Sequence, residues 1–412
     1  MELLELEITN VAHGGIFVAR HEGRVVFVSD AIDGERVVAR VTDTSQKKFW
    51  RAETVEVLTA SKHRKPHVWA EADISRDPDN RVGGAEFGHI ELAHQRALKA
   101  FVIEDSLHRF GGTDAWAGKV AVQALPGDDE SAGTGWRTRV RLHVDDEGRV
   151  GPYASRSHRV IEVGSLPLAV AELNELAPLT QRINGAFAID LIAPSADRAR
   201  VTARMEGARD KQVIIRERVG EREFRLAEDG FWQVHRHAAT TLTDAVSRAI
   251  DADRFDVKAA NHDLYGGVGL LAAAMGDRFG STTRMVSVES NESATEFAAH
   301  NLADWVGARA ITARVDHYLR DVVANTSERE AKAWSTSTVV LDPPRSGAGR
   351  DVVDALGKLA PEQVIYVACD PVALARDVKY FAAHGYSVEH LEAFDLFPNT
   401  HHVETVVRLG KQ

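Results

Sequence analysis

Asp263-Leu264-Tyr265-Gly266-Gly267-Val268-Gly269 is the stretch that decides the fold, together with the run Leu270-Leu271-Ala272-Ala273-Ala274-Met275 that follows it. The pattern predicts an apolar strand, a glycine loop and a helix in direct succession. Glycines lack a Cβ, so the backbone of such a loop can approach a ligand closely. Glu289 ends the next predicted strand, about 20 residues further on, where a carboxylate can bind ribose hydroxyls. The stretch therefore predicts a nucleotide-binding α/β domain.

The glycine loop is compatible with more than one ligand class. Dehydrogenases bind dinucleotides with a similar arrangement, and a tight strand-to-helix turn without a ligand is a further alternative. The loop is shorter than the G-x-G-x-x-G pattern of dinucleotide-binding proteins. Asp316, predicted at the end of the third strand of this domain, is placed to meet an adenine. Both features favour S-adenosylmethionine over a dinucleotide.

Strands and helices alternate from about residue 223 onward, which predicts a parallel sheet covered by helices. The predicted strands are 263–265, 286–289, 311–315, 339–342 and 364–368. Such sheets bind ligands beyond the carboxyl ends of their strands. The notable residues of this half all fall at those ends: Tyr265, Glu289, Asp316, Asp342 and Cys369. We therefore expect one shared pocket.

Two prolines fix an extended turn after the fourth predicted strand of this domain, in Asp342-Pro343-Pro344-Arg345. Adenine and cytosine amino-methyltransferases use a related turn, with an aromatic residue in the fourth place, to bind an exocyclic amine. The planar donors of Arg345 suit a uracil carbonyl or a phosphate better. A rigid turn without chemistry is the alternative.

Cys369 is the only cysteine of the chain and lies between an apolar run and Asp370-Pro371, which predicts a helix start. The dipole of a helix N-terminus favours a thiolate, so the pKa of Cys369 is expected to fall. An inert buried cysteine is the alternative. Glu404 starts an otherwise apolar predicted strand and could accept a proton in a pocket, unless it is a surface carboxylate.

The remaining composition excludes several classes of protein. A single cysteine rules out an internal disulfide and any all-cysteine metal site. His401 and His402 are expected on a strand, pointing to opposite faces, so they do not predict a metal site. No apolar run approaches the roughly 20 residues of a membrane span, and the acidic start of the chain does not resemble a secretory signal. We expect a cytoplasmic enzyme that has no membrane partner and is a monomer.

Residues 1–59 alternate apolar and polar positions between glycine turns, which predicts a small antiparallel barrel of the OB type. The predicted strands are 4–8, 15–20, 25–29, 37–42 and 49–58. Barrels of this shape often bind nucleic acid, although many bind protein. Residues 60–222 predict a mixed α+β region, with a helix at 91–110 and strands at 119–124, 138–144, 158–163, 199–205 and 212–218.

Net charge is −11, which does not by itself indicate a nucleic-acid binder. Affinity for phosphates depends on the local density of cations, however, and RNA contact is favoured for two of the stretches that are rich in them. They are Arg36, Arg40, Lys47, Lys48, Arg51, Lys62, Arg64 and Lys65, and Arg137, Arg139, Arg141, Arg149, Arg156 and Arg159. Solvated strand faces explain such charge in many proteins.

Taken together, these motifs resemble the S-adenosylmethionine-dependent RNA 5-methyluridine methyltransferases over nearly the whole chain. The first region resembles the TRAM domain of that family in Gly14-Gly15-Ile16-Phe17-Val18, Val26-Phe27-Val28 and Gly34-Glu35-Arg36-Val37. The central region resembles it in Trp136-Arg137, Gly151-Pro152-Tyr153 and Ser157-His158. The last region resembles its catalytic motifs in Phe231-Trp232-Gln233-Val234, the glycine loop, Asp342-Pro343-Pro344-Arg345, Cys369-Asp370-Pro371 and Phe397-Pro398-Asn399-Thr400-His401-His402-Val403-Glu404.

The resemblance implies three domains: a TRAM domain at 1–59 that binds RNA, a central RNA-binding domain at 60–222 and a Rossmann-like class I methyltransferase domain at 223–412. It implies that Cys369 is the nucleophile and Glu404 the base. S-adenosyl-L-methionine would be bound by Gln233, Tyr265, Glu289, Asp316 and Asp342. The substrate would be a uridine of ribosomal RNA or, as the less favoured alternative, transfer RNA.

The chain departs from the family pattern in two respects. Many members hold an iron–sulfur cluster through four cysteines, which this chain lacks, so no such cluster is expected. Asp370 stands where asparagine is usual, and its charge would raise the pKa of Cys369. Three rival functions follow from these observations: a non-catalytic RNA-binding or folding factor, a DNA cytosine methyltransferase and a dehydrogenase.

Overall fold

The N-terminal region is a closed five-stranded barrel. The computed structural model of the protein describes residues 2–207 and 212–411. The barrel strands are β1 (Leu3–Ala12), β2 (Ile16–His21), β3 (Arg24–Ser29), β4 (Arg36–Asp43) and β5 (Phe49–Thr59). They pair in the order β1-β2-β3-β5-β4, and β4 closes the barrel on β1. Leu4, Leu6 and Ile8 alternate with exposed residues and point into the barrel core. The predicted five-stranded barrel is confirmed, except that it is not wholly antiparallel, because β3 and β5 pair in parallel.

The middle of the chain is a mixed region around a four-stranded antiparallel sheet of order β10-β9-β7-β8 and a hairpin β11-β12. Its elements are α1 (Leu92–Ser106), a π-helical turn (Leu107–Gly111), β6 (Val122–Gln123), β7 (Arg139–Val144), β8 (Val150–Gly151), α2 (Ala171–Leu176), β9 (Ala186–Ile192), β10 (Arg200–Met205), β11 (Ile214–Val219) and β12 (Arg222–Ala227). Short 3₁₀ turns lie at Ala70–Ala72 and Pro78–Asn80.

Two strand assignments of the middle region need correction. The predicted strand at 158–163 is wrong, because the segment folds back on residues 152–154 and makes one isolated bridge, Tyr153 with Val160. Its apolar side chains are buried in the core of this region without a ladder. The sequence analysis missed β9, which is apolar at nearly every position and lacks the alternation that identifies a half-exposed strand.

The C-terminal region is an eight-stranded sheet with helices on both faces, in the order β15-β14-β13-β16-β17-β19-β18-β6. Its strands are β13 (Asn261–Leu264), β14 (Met285–Glu289), β15 (Ala308–Thr312), β16 (Thr338–Leu341), β17 (Gln363–Ala368), β18 (Tyr386–Phe394) and β19 (Glu404–Lys411). Its helices are α3 (Ala238–Ala249), α4 (Leu270–Phe279), α5 (Glu292–Asn301), α6 (Val315–Asn325), α7 (Glu328–Ser335), α8 (Arg350–Leu359) and α9 (Pro371–Ala382), with a 3₁₀ turn at Ala252–Arg254.

The predicted alternation of strands and helices is confirmed, with two differences. Strands β13 to β17 are parallel, but β19 is antiparallel to both β17 and β18, because β18 and β19 are joined without a crossover helix. The predicted strand at 311–315 ends at Thr312, and Val315 is instead the first residue of α6, where it is buried in the core. Asp316 therefore belongs to a helix.

The middle and C-terminal regions contact each other through a strand pair, a helix pair and a buried ion pair. Strand β6 pairs with β18 as the outermost strand of the C-terminal sheet, and α1 packs against α9. Lys99 of α1 reaches Asp395, directly after β18, with 2.5 Å between Nζ and Oδ1, and both side chains are almost completely buried. The domain boundaries at 59 and 222 stay predictions.

Among residues 2–207 and 212–411, no helix has both the length and the apolar character that crossing a bilayer requires.

Replacing Lys99 by methionine should destabilise the fold by about 3–5 kcal/mol, because it leaves the buried Asp395 carboxylate without its counter-charge. The measurement is urea unfolding followed by intrinsic fluorescence. The double variant Lys99→Met/Asp395→Leu should recover most of that loss, since it removes both charges. A Lys99→Met protein as stable as the wild type would contradict the role of this pair.

Candidate active site

All seven residues predicted for the site surround one cavity of about 1550 Å³ at the carboxyl ends of the parallel strands. They are Gln233, Tyr265, Glu289, Asp316, Asp342, Cys369 and Glu404. The cavity is bounded by the segment before α3, the loops after β13, β14, β16 and β17, and the turn before β19.

The loop after β13 is held against the sheet by contacts that only glycine permits. A Cβ at position 266 would fall 2.1 Å from Ser287 Oγ, and position 269 has a φ of 89°. Asp263, fully buried at the end of β13, accepts a hydrogen bond of 3.0 Å from the backbone N–H of Ala272 in the first turn of α4. Burial raises the pKa of Asp263 to about 8. The buried Asp263 side chain thus fixes the glycine loop by binding the first turn of the helix that follows it.

Glu289 stands at the end of β14, opposite the glycine loop. Its Oε2 accepts from the backbone N–H of Gly267 at 3.2 Å, and its Oε1 accepts from Asn291 N–H at 2.8 Å. Ser290 Oγ also donates to Oε1 at 3.1 Å. A carboxylate has about four acceptor positions, so one remains for a hydroxyl group of a ligand. This arrangement suits a ribose placed over the loop.

Asp316 reaches the cavity from a different element than predicted. It is the second residue of α6, and Arg314 donates two hydrogen bonds to it, of 3.1 and 3.0 Å. The Arg314 guanidinium lowers the pKa of Asp316. Its carboxylate is therefore ionised and partly neutralised at the rim of the cavity.

Asp342 follows β16, and its backbone N–H donates to the carbonyl of Leu264 on the neighbouring strand β13. The glycine loop after β13 and the Pro-Pro turn after β16 are consequently neighbours. Desolvation raises the pKa of Asp342 to about 7. This carboxyl group is poised to change its charge when another charge arrives in the cavity.

Cys369 and Glu404 are brought together by the pairing of β17 with β19. Ala368, the last residue of β17, lies opposite Thr405, and Thr405 Oγ1 donates to the carbonyl of Ala368 at 3.1 Å. One step further along this antiparallel register places Cys369 across from Glu404. Cys369 is partly exposed to the cavity and Glu404 is 4% exposed.

The expected fall in the pKa of Cys369 is wrong for this structure. Burial, followed by the nearby carboxyl groups of Glu404 and Asp342, raises the pKa of the thiol to about 12, and Arg345 opposes this only in part. The helix dipole is not the largest influence, because Asp370 is the N-cap of α9 and Cys369 precedes it.

Glu404 is held by a turn that α1 supports from behind. Gln95 of α1 donates to Asn399 Oδ1 at 3.0 Å and accepts from Asn399 N–H at 2.8 Å, while Asn399 has a φ of 64°. Burial and the neighbouring Asp342 raise the pKa of Glu404 well above its usual range. The carboxyl group that faces the thiol therefore keeps its proton to higher pH than an ordinary glutamic acid does.

Sequence reasoning missed the side of the cavity formed by Glu86, Arg137, Thr400 and His402. Arg137 was noted as a member of a basic stretch and of the Trp136-Arg137 motif but was not assigned to the site, and Glu86 carried no local signal. His401 and His402 do not lie on a strand: they belong to the turn before β19, and their rings are 4.0 Å apart. Within the described ranges, the structure contains no group of three His, Cys, Asp or Glu side chains that could hold a metal ion.

Comparison with known proteins identifies the class first. The fold is that of a solved tRNA (uracil-54, C5)-methyltransferase of Pyrococcus abyssi in complex with S-adenosyl-L-homocysteine, with a TM-score of 0.69, 19% identity and coverage of 98% of this chain and 100% of that one. The sequence profile of the TRAM domain matches residues 2–55. The protein is therefore a TRAM-containing protein with a methyltransferase fold.

The sequence profile of the tRNA (uracil-5-)-methyltransferases matches residues 171–412. Among similar sequences, a protein of Streptomyces avermitilis is 39% identical over 99% of this chain and 98% of its own length, and one of Bifidobacterium longum is 32% identical over 98% and 95%. Both are described as uncharacterized RNA methyltransferases. The chain belongs to the tRNA (uracil-5-)-methyltransferase family, and is thus an S-adenosylmethionine-dependent RNA methyltransferase.

Alkylation by iodoacetamide will report on Cys369 alone, since it is the only cysteine of the chain. The rate should remain low near about pH 8.5, where an ordinary thiol is half ionised, and keep rising above it. Glu404→Gln removes a neighbouring charge and should increase the rate at alkaline pH. Glu392→Gln, on β18, is the matched control and should behave as the wild type, because the Glu392 carboxylate pairs with Arg248 and does not face the cavity. An ordinary thiol titration in the wild type would contradict the described burial.

Proposed function

We propose that the protein methylates carbon 5 of a uridine in structured RNA through a covalent bond between Cys369 and carbon 6 of the uracil. The observation that carries this proposal is the placement of Cys369 across from Glu404 in the cavity that the glycine loop also lines. A nucleophile and an acid–base group on opposite sides of one small ring are what substitution at carbon 5 requires.

The cofactor half of the cavity fits S-adenosylmethionine. Glu289 keeps an acceptor position for a ribose hydroxyl, and the glycines of the loop let a ligand approach the backbone. Val268, Phe297 and Val315 supply an apolar wall for a base. Gln233, Tyr265, Asp316 and Asp342 complete this half. When bound, S-adenosylmethionine supplies a methyl group on a positively charged sulfur.

Uracil needs activation because its carbon 5 is a poor nucleophile. The Cys369 thiolate adds to carbon 6, and the electron pair of the C5–C6 double bond moves toward the ring carbonyl as an enolate. Carbon 5 then accepts the methyl group as its bond to the sulfonium sulfur breaks, and the leaving group would be the neutral thioether S-adenosylhomocysteine. Removal of the carbon-5 proton by Glu404 and cleavage of the S–C6 bond release the product and restore the thiolate.

Glu404 can accept that proton only as a carboxylate. Burial and Asp342 raise its pKa and so favour the protonated form, and the Arg345 guanidinium opposes this rise. A further positive charge in the cavity favours the carboxylate, as it favours ionisation of Cys369. Cys369 and Glu404 therefore ionise more readily once a further positive charge has entered the cavity, and less readily before that.

RNA contact is supported by the outer surface of the barrel. Several cations of the first basic stretch are committed to ion pairs within the fold, such as Arg64 with the buried Glu35. Lys47, Lys48 and Arg51 are exposed instead, next to Phe49 and Trp50. Cations beside partly exposed aromatic rings are typical of surfaces that stack and bind single-stranded RNA. The target uridine must leave its stack to reach the cavity, which favours loops over paired stems.

The RNA class has two candidates. Ribosomal RNA is the first candidate, which the TRAM domain favours. The matched family and the structurally similar Pyrococcus abyssi enzyme carry transfer RNA in their names, which makes transfer RNA the second candidate.

Cys369→Ala should abolish methyl transfer to RNA, because no other thiol exists in the chain. Glu404→Gln should instead accumulate a covalent protein–RNA complex, because addition proceeds but the carbon-5 proton stays. The measurements are tritium transfer from labelled S-adenosylmethionine and a denaturing gel with labelled RNA. The double variant Cys369→Ala/Glu404→Gln is the control and should form no complex. Appreciable turnover by Cys369→Ala would overturn the covalent mechanism.

Mass-spectrometric mapping of 5-methyluridine in RNA from cells with and without the gene should show the loss of one or more defined sites. Loss in ribosomal RNA supports the first candidate, and loss in transfer RNA supports the second. Complementation by the wild type but not by Cys369→Ala is the control. Unchanged 5-methyluridine in both RNA classes would contradict the proposed function and leave a non-catalytic RNA-binding factor as the better description.

A further inference from the structure

The barrel contacts the residue that follows the proposed nucleophile. His13, in the turn between β1 and β2, donates from Nε2 to Oδ2 of Asp370 at 2.8 Å. Asp370 is the N-cap of α9, and its Oδ1 accepts from the backbone N–H of Ala373 at 2.8 Å. The two ends of this ion pair are 357 positions apart in the chain. One carboxylate thus joins the N-terminal barrel to the helix that begins beside Cys369.

The barrel turn is packed tightly against the catalytic region at this point. A Cβ at Gly15 would fall 2.5 Å from Cβ of His401, so the turn cannot carry a side chain there without displacement. A second cavity, of about 160 Å³, lies between the two regions and is lined by His13, Gly15, Arg345, Cys369, Asp370 and His401. Cys369 therefore borders the main cavity on one side and the barrel interface on the other.

Charge around Cys369 is unbalanced without His13. The carboxyl groups that face the thiol come from β19 (Glu404), from the turn after β16 (Asp342) and from the start of α9 (Asp370). Arg345 is the cation that acts on the thiol directly. His401, His402 and the buried Lys99 also line the second cavity, and Lys99 is paired with Asp395.

We infer that His13 is a positioning residue for the nucleophile. By donating to the Asp370 carboxylate, His13 fixes the start of α9 and offsets the negative charge next to Cys369. Contact between the barrel and α9 therefore favours the thiolate form of Cys369. This rests on the proposed function, and it assigns a catalytic task to a domain otherwise expected only to bind RNA. It also gives a reason why aspartate functions at position 370.

The sign of the pH dependence follows from the pair. Its hydrogen bond to Asp370 raises the pKa of His13, and the same bond contributes to lowering the pKa of Asp370. Below the pKa of His13 the pair is an imidazolium with a carboxylate and has no net charge. Above it, the carboxylate acts on Cys369 unopposed and disfavours the thiolate. The contribution of His13 is therefore present below its raised pKa and is lost as the pH rises through that pKa.

The test is alkylation of the single thiol by iodoacetamide in wild type, His13→Ala, Asp370→Asn and the double variant, at about pH 6.5 and about pH 9.5. We expect His13→Ala to react about three- to tenfold more slowly than wild type at the lower pH, and equally at the higher pH. In the Asp370→Asn background, removal of His13 should have a much smaller effect. Asparagine is a good N-cap, so this background keeps α9 intact. His21→Ala, at the opposite end of β2, is the control and should match the wild type.

Three results would overturn the inference: equal rates for wild type and His13→Ala at both pH values, an equal loss at both, or an equal loss with and without Asp370. Alkylation needs neither RNA nor methyl donor, so it remains informative even if Cys369→Ala shows that the proposed function is wrong. With RNA substrate, His13→Ala should lower kcat at the lower pH and leave KM for RNA within about twofold, as expected for a group that acts through Asp370.

Discussion

Backbone hydrogen bonds between β17 and β19 place the carboxyl end of one strand beside the amino end of the other, with Ala368 opposite Thr405. The antiparallel direction of β19 is essential to this arrangement. A parallel strand would carry its first residue to the far edge of the sheet, away from the ligand-binding ends. Because β19 runs against the others, its first residue, Glu404, meets the residue that follows β17. The proximity of the proposed reacting pair is thus a product of sheet topology.

The same edge of the sheet concentrates acidic groups with too few cations. Asp263, Asp342 and Glu404 all have raised pKa values, mainly because each is withdrawn from water. Protons held by these groups keep the cavity close to electrical balance. Arrival of a positively charged cofactor and a phosphate-bearing substrate changes that balance, and burial makes each change large. Electrostatics of this kind couples the reactivity of a thiol to the presence of both substrates.

Much of this arrangement was predictable from sequence, for identifiable reasons. Alternation of apolar residues fixed the barrel strands, and the ends of apolar runs located Tyr265, Glu289, Asp342 and Cys369. Asp316 was assigned to the wrong element because Val315 extends an apolar run while serving as the first buried residue of α6. Contacts between distant segments left no local pattern. Gln95 with Asn399, and His13 with Asp370, could not be found without the fold.

Strand β6 is only two residues long, yet with α1 it alters what can be called a module in this protein. A fragment that begins after residue 222 would lack β6, the outermost strand of the sheet. It would also lack Lys99, which pairs with Asp395, and Gln95, which holds the turn before Glu404 through Asn399. The catalytic half is thus not a portable unit. Recombination in evolution, or by design, must exchange it together with the helix that precedes it by more than a hundred residues, which ties the inheritance of RNA binding to that of catalysis.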